Sequence, residues 1–132
     1  MEELNGKRLA QWHDVVFQRN MEALESMLAE DVMFYSPALW KPKTTRMEAL
    51  ALLSTVIEVF SNFTYHRELI QGNNWALEFS ADVGDKSVKG IDLIEFNEEG
   101  KIQRFEVFIR PLTGLMALAQ VMGERLKEKG FI

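Results

Sequence analysis

The chain of 132 residues has no cysteine. Disulfides, thiol nucleophiles and thiolate metal sites are therefore excluded. Histidine is scarce, with two residues, His13 and His66, which leaves little for an imidazole metal cluster. Positive charge is also short: 15 Lys and Arg against 20 Asp and Glu give a net charge of −5 at pH 7. A nucleic-acid footprint needs a basic stripe, so no nucleic-acid partner is expected. No apolar run approaches membrane-spanning length, so no membrane partner is expected either. The polar, amphipathic start MEELNGKRLAQWHD does not read as a signal peptide. A cytoplasmic protein without metal or cofactor is the expectation. Tyrosine is limited to two residues, so few hydroxyls are available to orient a polar ligand, which favours an apolar one.

What is present is ordinary for a globular chain: 47% hydrophobic and 27% charged residues. One domain over residues 1–132 is expected, long enough to bury a core. Leu9, Trp12 and Val16 form the stripe of a first amphipathic helix. Asn20 suits the N-cap of a second helix, with Leu24, Met27 and Leu28 inward. Val32 to Ser36 reads as a short strand ended by Pro37. Thr45-Arg46-Met47-Glu48 is a capping-box pattern that opens a third helix carrying Leu50, Leu53, Ile57 and Phe60. Four strand-like runs follow, Phe63 to Gln71, Trp75 to Val83, Ser87 to Asn97 and Lys101 to Arg110, separated by Gly or Asn turns. Thr113 suits the N-cap of a last helix with Leu115, Leu118, Met122 and Leu126. The order is α-α-β-α-β-β-β-β-α, an α+β arrangement with helices on one face of a largely antiparallel sheet. In the run Leu77 to Asp82, apolar residues alternate with polar ones, as a strand with one buried face requires.

Val88 to Arg110 is the most informative segment, a long hairpin closed by the Asn97-Glu98-Glu99-Gly100 turn. Asp92 lies within its first strand, between Ile91 and Leu93-Ile94. Aspartate disfavours strands, and burying its charge is costly. Asp92 is therefore the first candidate for a pocket group.

The element order, together with Asn20-Met-Glu-Ala-Leu24, Ala29-Glu-Asp-Val-Met-Phe-Tyr-Ser-Pro37 and Gly90-Ile-Asp92 through Gly100-Lys-Ile102, resembles the NTF2-like superfamily. Within it the chain is similar to SnoaL-like and ketosteroid-isomerase-like proteins. The resemblance covers essentially the whole chain. It implies a curved, mixed sheet wrapped around the N-terminal helices as a cone, with an apolar pocket at the open end and dimers formed through the outer sheet face. Because the fold hosts several enzyme types and binding modules, it does not by itself assign an activity. Asp92 falls at the aspartic acid that donates a hydrogen bond in the isomerase oxyanion hole. The isomerase general base corresponds to Ser36, before Pro37, and serine without a basic partner cannot abstract a carbon-bound proton. The oxyanion tyrosine corresponds to Trp12, a donor but a poor acid. A functional steroid isomerase is therefore not expected. The limonene-epoxide-hydrolase pattern needs an arginine where this chain has Gly90.

The candidate catalytic residues are Asp92, as acid/base or oxyanion donor, with Ser36 and His13 as groups that hold a water. The alternative for Asp92 is a structural aspartate satisfied by Trp12 or by backbone donors. The candidate ligand-binding residues are Trp12, Val56, Phe60, Phe63, Phe79, Phe105 and Val107. Leu39 and Trp40 follow the first strand as a lid or an ordered loop. His66 and Glu68, two apart on a strand, share a face in this reading, and an exposed outer face is preferred to a metal site there. Arg104, Glu106, Phe108 and Arg110 form one face of the last strand and suit a homodimer interface. The reading is a SnoaL-like domain that binds a small apolar ligand. The alternative is an isomerase, cyclase or hydrolase acting on a hydrophobic cyclic molecule through Asp92.

Overall fold

The computed structural model describes residues 2–132. The elements are α1 (Glu2–Gln18), α2 (Met21–Met27), β1 (Leu28–Tyr35), α3 (Arg46–Val59), β2 (Ser61–Gln71), β3 (Asn74–Val83), β4 (Lys86–Phe96), β5 (Ile102–Arg110) and α4 (Leu112–Glu128). The order is the expected one. The five strands form an open, mixed sheet in the order β1-β5-β4-β3-β2. Strands β2 to β5 are an antiparallel meander, and β1 joins its far edge parallel to β5.

Local chemistry sets most of the boundaries. The Asn20 side chain accepts a hydrogen bond from Ala23 N–H at 3.1 Å and opens α2. Thr45 Oγ1 accepts from Glu48 N–H at 3.2 Å and opens α3, while the Glu48 carboxylate accepts the Thr45 hydroxyl at 2.9 Å. Three expectations are corrected here. Strand β1 starts at Leu28, four residues earlier than Val32, and Leu28 belongs to that strand and not to the inner face of α2. Helix α4 starts at Leu112, after Pro111, with no side-chain cap, so Thr113 is inside the helix. Proline suits this junction because it has no N–H to satisfy.

The third correction concerns β2. Its pairing with β3 shifts by one residue between Tyr65, opposite Phe79, and Glu68, opposite Leu77. This is a β-bulge at His66-Arg67. His66 therefore faces outward to Ser80, whereas Glu68 turns to the helix side and meets His13. The two do not share a face, and no metal-binding cluster occurs among the described residues. The bulge is held by Glu78 opposite it. The carboxylate of Glu78 accepts from Arg67 Nε and Nη2, both at 2.8 Å, and from Arg67 N–H at 3.3 Å, and Lys89 lies at 3.3 Å. These donors, the Arg67 side chain first, hold the Glu78 carboxyl far below its ordinary range.

The core has two apolar clusters inside the curved sheet. One gathers Trp12, Leu24, Phe34, Leu53, Trp75 and Phe105. The other gathers Val83, Val88 and Leu118 with Phe60, Phe63 and Met122 packed against them. Gly90 lies on β4 between them. A Cβ there would fall on the carbonyl oxygen of Phe108 and lie 2.7 Å from Phe79 Cζ. No side chain fits, so an arginine of the epoxide-hydrolase type is sterically excluded. Gly90→Ala is expected to destabilise the fold by about 3 kcal/mol, because a backbone oxygen cannot yield as a side chain can. Urea unfolding midpoints would measure this.

Candidate functional site

Strand alternation directs Gly90, Asp92, Ile94 and Phe96 inward and leaves Ile91 and Leu93 exposed. Asp92 is 7% exposed. Its partner is Tyr65 of β2, whose hydroxyl donates to Oδ2 at 2.8 Å. Trp12 of α1 donates Nε1–H to the same Tyr65 oxygen at 2.7 Å. A chain of two hydrogen bonds, Trp12 to Tyr65 to Asp92, thus ties helix α1 to two strands. The alternative of an aspartate satisfied by Trp12 or backbone is corrected: Trp12 reaches Asp92 only through Tyr65. Tyr65 was not among the sequence candidates. It occupies the inner position two residues after Phe63, and that alternation was the available signal.

The electrostatics follow from burial. Desolvation, opposed in part by the Tyr65 hydrogen bond, raises the Asp92 carboxyl from 3.8 to about 7. Burial and the Asp92 charge push the Tyr65 phenol well above its ordinary value. Tyr65 therefore remains a donor, and Asp92 is the group that titrates near neutrality. Asp92 Oδ1 has no protein partner among the described residues, yet no buried polar side-chain atom is left unsatisfied. That oxygen opens onto space.

The space is a cavity of about 640 Å³ whose wall includes Asp92, Tyr65 and Trp12. This lies within the range of small-molecule sites. Of the sequence candidates, Trp12, Ser36, Val56, Phe60, Phe63, Phe105 and Val107 line it. Two do not. Phe79 is buried behind Phe63, with ring centroids 5.1 Å apart, and fills the space over Gly90. His13 bonds to Glu68 Oε2 at 2.7 Å and stacks on Tyr65 at 5.7 Å, outside the cavity wall. Ser36 Oγ accepts from Leu39 N–H at 3.2 Å, a turn-forming contact with no base beside it. Glu48 is the other carboxylate on the wall, at the start of α3 and bonded to Thr45. Helix α4 supplies Leu118 and Met122.

An open curved sheet with helices filling its concave side, and an apolar cavity around one buried carboxyl, define an NTF2-like cone. Residues 9–105 match the SnoaL-like domain model, and the chain belongs to that family. It is similar to a steroid delta-isomerase from Pseudomonas aeruginosa, with 41% identity over 96% of this chain and 93% of that one and a TM-score of 0.91. It is also similar to an uncharacterised bacterial protein of cystatin-like fold from Silicibacter pomeroyi, with 40% identity over 90% and 84% of the chains and a TM-score of 0.86. A de novo designed curved-sheet protein shares the fold at 14% identity, 93% and 97% coverage and a TM-score of 0.72. No curated protein matches the chain.

A carboxyl whose folded pKa is raised costs stability as pH rises. The folded and unfolded forms are equally protonated below the unfolded value near 3.8, and the full penalty is present above about 7. The shift corresponds to about 4 kcal/mol. Asp92→Asn keeps the shape and the acceptor for Tyr65, so it is expected to stabilise the protein by up to about that amount in mildly alkaline buffer and to have little effect in acid. Urea unfolding at both ends of the range tests this. Tyr65→Phe removes the bond that lowers Asp92, so its carboxyl, followed by carbon NMR, is expected to titrate above its wild-type value.

Proposed function

We propose that this protein binds a small apolar molecule in its cone, with one carbonyl or hydroxyl group of the ligand set against Asp92. The free Asp92 Oδ1, beside a cavity of about 640 Å³ with a largely apolar wall, carries this reading. When protonated, Asp92 donates to a ligand carbonyl. When ionised, it accepts from a hydroxyl. A neutral polycyclic ketone is therefore expected to bind well below about pH 7 and to lose about tenfold in affinity per unit above it, as the donor proton is lost. Asp92→Asn keeps a donor at every pH, so its affinity is expected to be flat. Calorimetric titrations across pH decide this, and a wild-type profile without the break would remove Asp92 as the anchor.

A second reading is an enzyme acting on a hydrophobic cyclic ketone with Asp92 as acid/base. The similarity to a protein named as a steroid delta-isomerase favours it, as does a carboxyl pKa near the operating range of acid–base catalysts. Against it, Ser36 stands where that chemistry needs a base, and Glu48 is engaged at the rim. Conversion of a β,γ-unsaturated cyclic ketone that is lost in Asp92→Asn would favour the enzyme. Tight binding without conversion would favour the binding domain.

The binding domain is proposed to be a homodimer through the outer sheet face. Arg104 and Arg110 are exposed around Phe108 there, with Glu106 half-buried, and Ile91 and Leu93 extend the patch on β4. Phe108 is opposite Ile91, and Glu106 is opposite Leu93. Size-exclusion mass measurement is expected to give twice 15.2 kDa, reduced to one protomer by Phe108→Glu.

A further inference from the structure

The segment between β1 and α3 departs from the rest of the surface. Its sequence, Ser36-Pro-Ala-Leu-Trp-Lys-Pro-Lys-Thr-Thr45, has two basic residues and no acidic one, and Arg46 opens α3 directly after it, in a chain whose net charge is −5. Trp40 is 95% exposed, and Leu39 and Met47 are exposed beside it. Bare apolar surface of this kind, including a whole indole, marks an interaction site when it is clustered.

The loop is firmly held. Phe34 and Lys43 exchange two backbone hydrogen bonds of 2.8 Å at its neck, on the free edge of β1, and Ser36 Oγ fixes its turn. Trp40 is thus displayed by an ordered frame. Lys41 and Lys43 have no ion pair among the described residues, while Arg46 lies 3.2 Å from Glu30. The nearby carboxylates, Glu30 and Glu48, are both engaged, on Arg46 and on Thr45. Leu39 and Lys43 also line the cavity, as do the exposed Phe131 and Ile132. The loop therefore rims the opening of an apolar chamber.

An exposed tryptophan flanked by lysines suits one environment in particular. Indole partitions to the headgroup level of a bilayer, and lysines meet anionic headgroups there. A membrane surface potential decays within a Debye length of about 8 Å, so the charge of this loop governs the contact more than the negative charge elsewhere on the chain. A peripheral contact needs only a surface patch, and that no helix among the described residues is long and apolar enough to cross a membrane has no bearing on it.

We propose that the Leu39–Lys43 loop docks the mouth of the cone on an anionic lipid surface, with Trp40 at the interface and Lys41 and Lys43 on the headgroups. The docking stands independently of what the cavity holds. Passage of an apolar ligand between bilayer and cavity would follow from it and rests on the binding function proposed above.

The test uses vesicles of phosphatidylcholine and phosphatidylglycerol at two to one, against pure phosphatidylcholine, with no cavity ligand added. Trp12 and Trp75 are buried, so a change in tryptophan emission on binding reports Trp40. The expected result is co-sedimentation with the anionic vesicles only, a blue shift in emission, and weakening with salt. Trp40→Ala is expected to abolish the shift and weaken sedimentation. Lys41→Gln with Lys43→Gln is expected to lower partitioning about twenty-fivefold, or about fivefold per cation. Both variants change loop side chains, and unchanged circular dichroism would confirm their fold. The proposal is overturned by no sedimentation at low ionic strength, by equal binding to both vesicle types, or by a blue shift that survives Trp40→Ala. A lipid-free blue shift that grows with protein concentration would also overturn it, since a second copy would then cover Trp40.

Discussion

Asp92 is buried on β4 while Ile91 and Leu93, its neighbours, face outward. The strand sets this one carboxylate inside, among Val88, Ile94 and Phe96, while it leaves Ile91 and Leu93 outside, and both depart from the usual pattern of an amphipathic strand. Both departures have consequences. Inside, the carboxyl requires a partner in a region otherwise filled by aromatic and aliphatic side chains, and among the described residues its direct one is the Tyr65 hydroxyl. Because Tyr65 in turn accepts from Trp12, the position of α1 against the sheet is coupled to the same group. Outside, two aliphatic side chains and Phe108 remain in water unless another surface covers them.

The bulge in β2 serves this arrangement. Phe63 and Tyr65 face the cavity in normal alternation, and the extra residue then resets the phase so that Glu68 also faces the helices and pairs with His13. Without the reset, His66 and Glu68 would point the same way and α1 would lose the tie from His13 to Glu68. Glu78, clamped by Arg67 and Lys89 on the outer side, keeps the bulged segment in place. On the opposite wall, Lys129 of the α4 terminus bonds to Thr55 and Glu58 of α3. The end of α4 is thus tied directly to α3, and both helices contribute to the cavity wall.

Much of this was legible from the residues. Period-two alternation placed Asp92, Phe105 and Val107 inward and Phe108 outward, because a strand gives a side chain only two directions. The pocket candidates Val56 and Phe60 line the cavity, Phe60 from just past the end of α3, and helical spacing placed Trp12 in the core. Where register was interrupted, the reading failed. His66 and Glu68 were assigned one face because a bulge leaves no reliable mark in the sequence. Phe79 has the right direction but lies over Gly90, a depth that alternation does not report. Thr113 had the chemistry of a cap, yet the helix began at Leu112, two residues before a Thr113 cap would start it.

The sequence by itself determined the order of elements and the inward carboxyl, because these follow from hydrophobic period and from the few residues that suit turns and caps, and its motifs carried the resemblance to the family. Only the tertiary structure decided which group satisfies Asp92, how much space remains beside it, and that the Trp40 loop rims that space. Tyr65 lies 27 positions from Asp92 and Trp12 lies 53 from Tyr65. Pairings over such separations are set by sheet register and helix docking, which are properties of the whole packed chain and not of any local window.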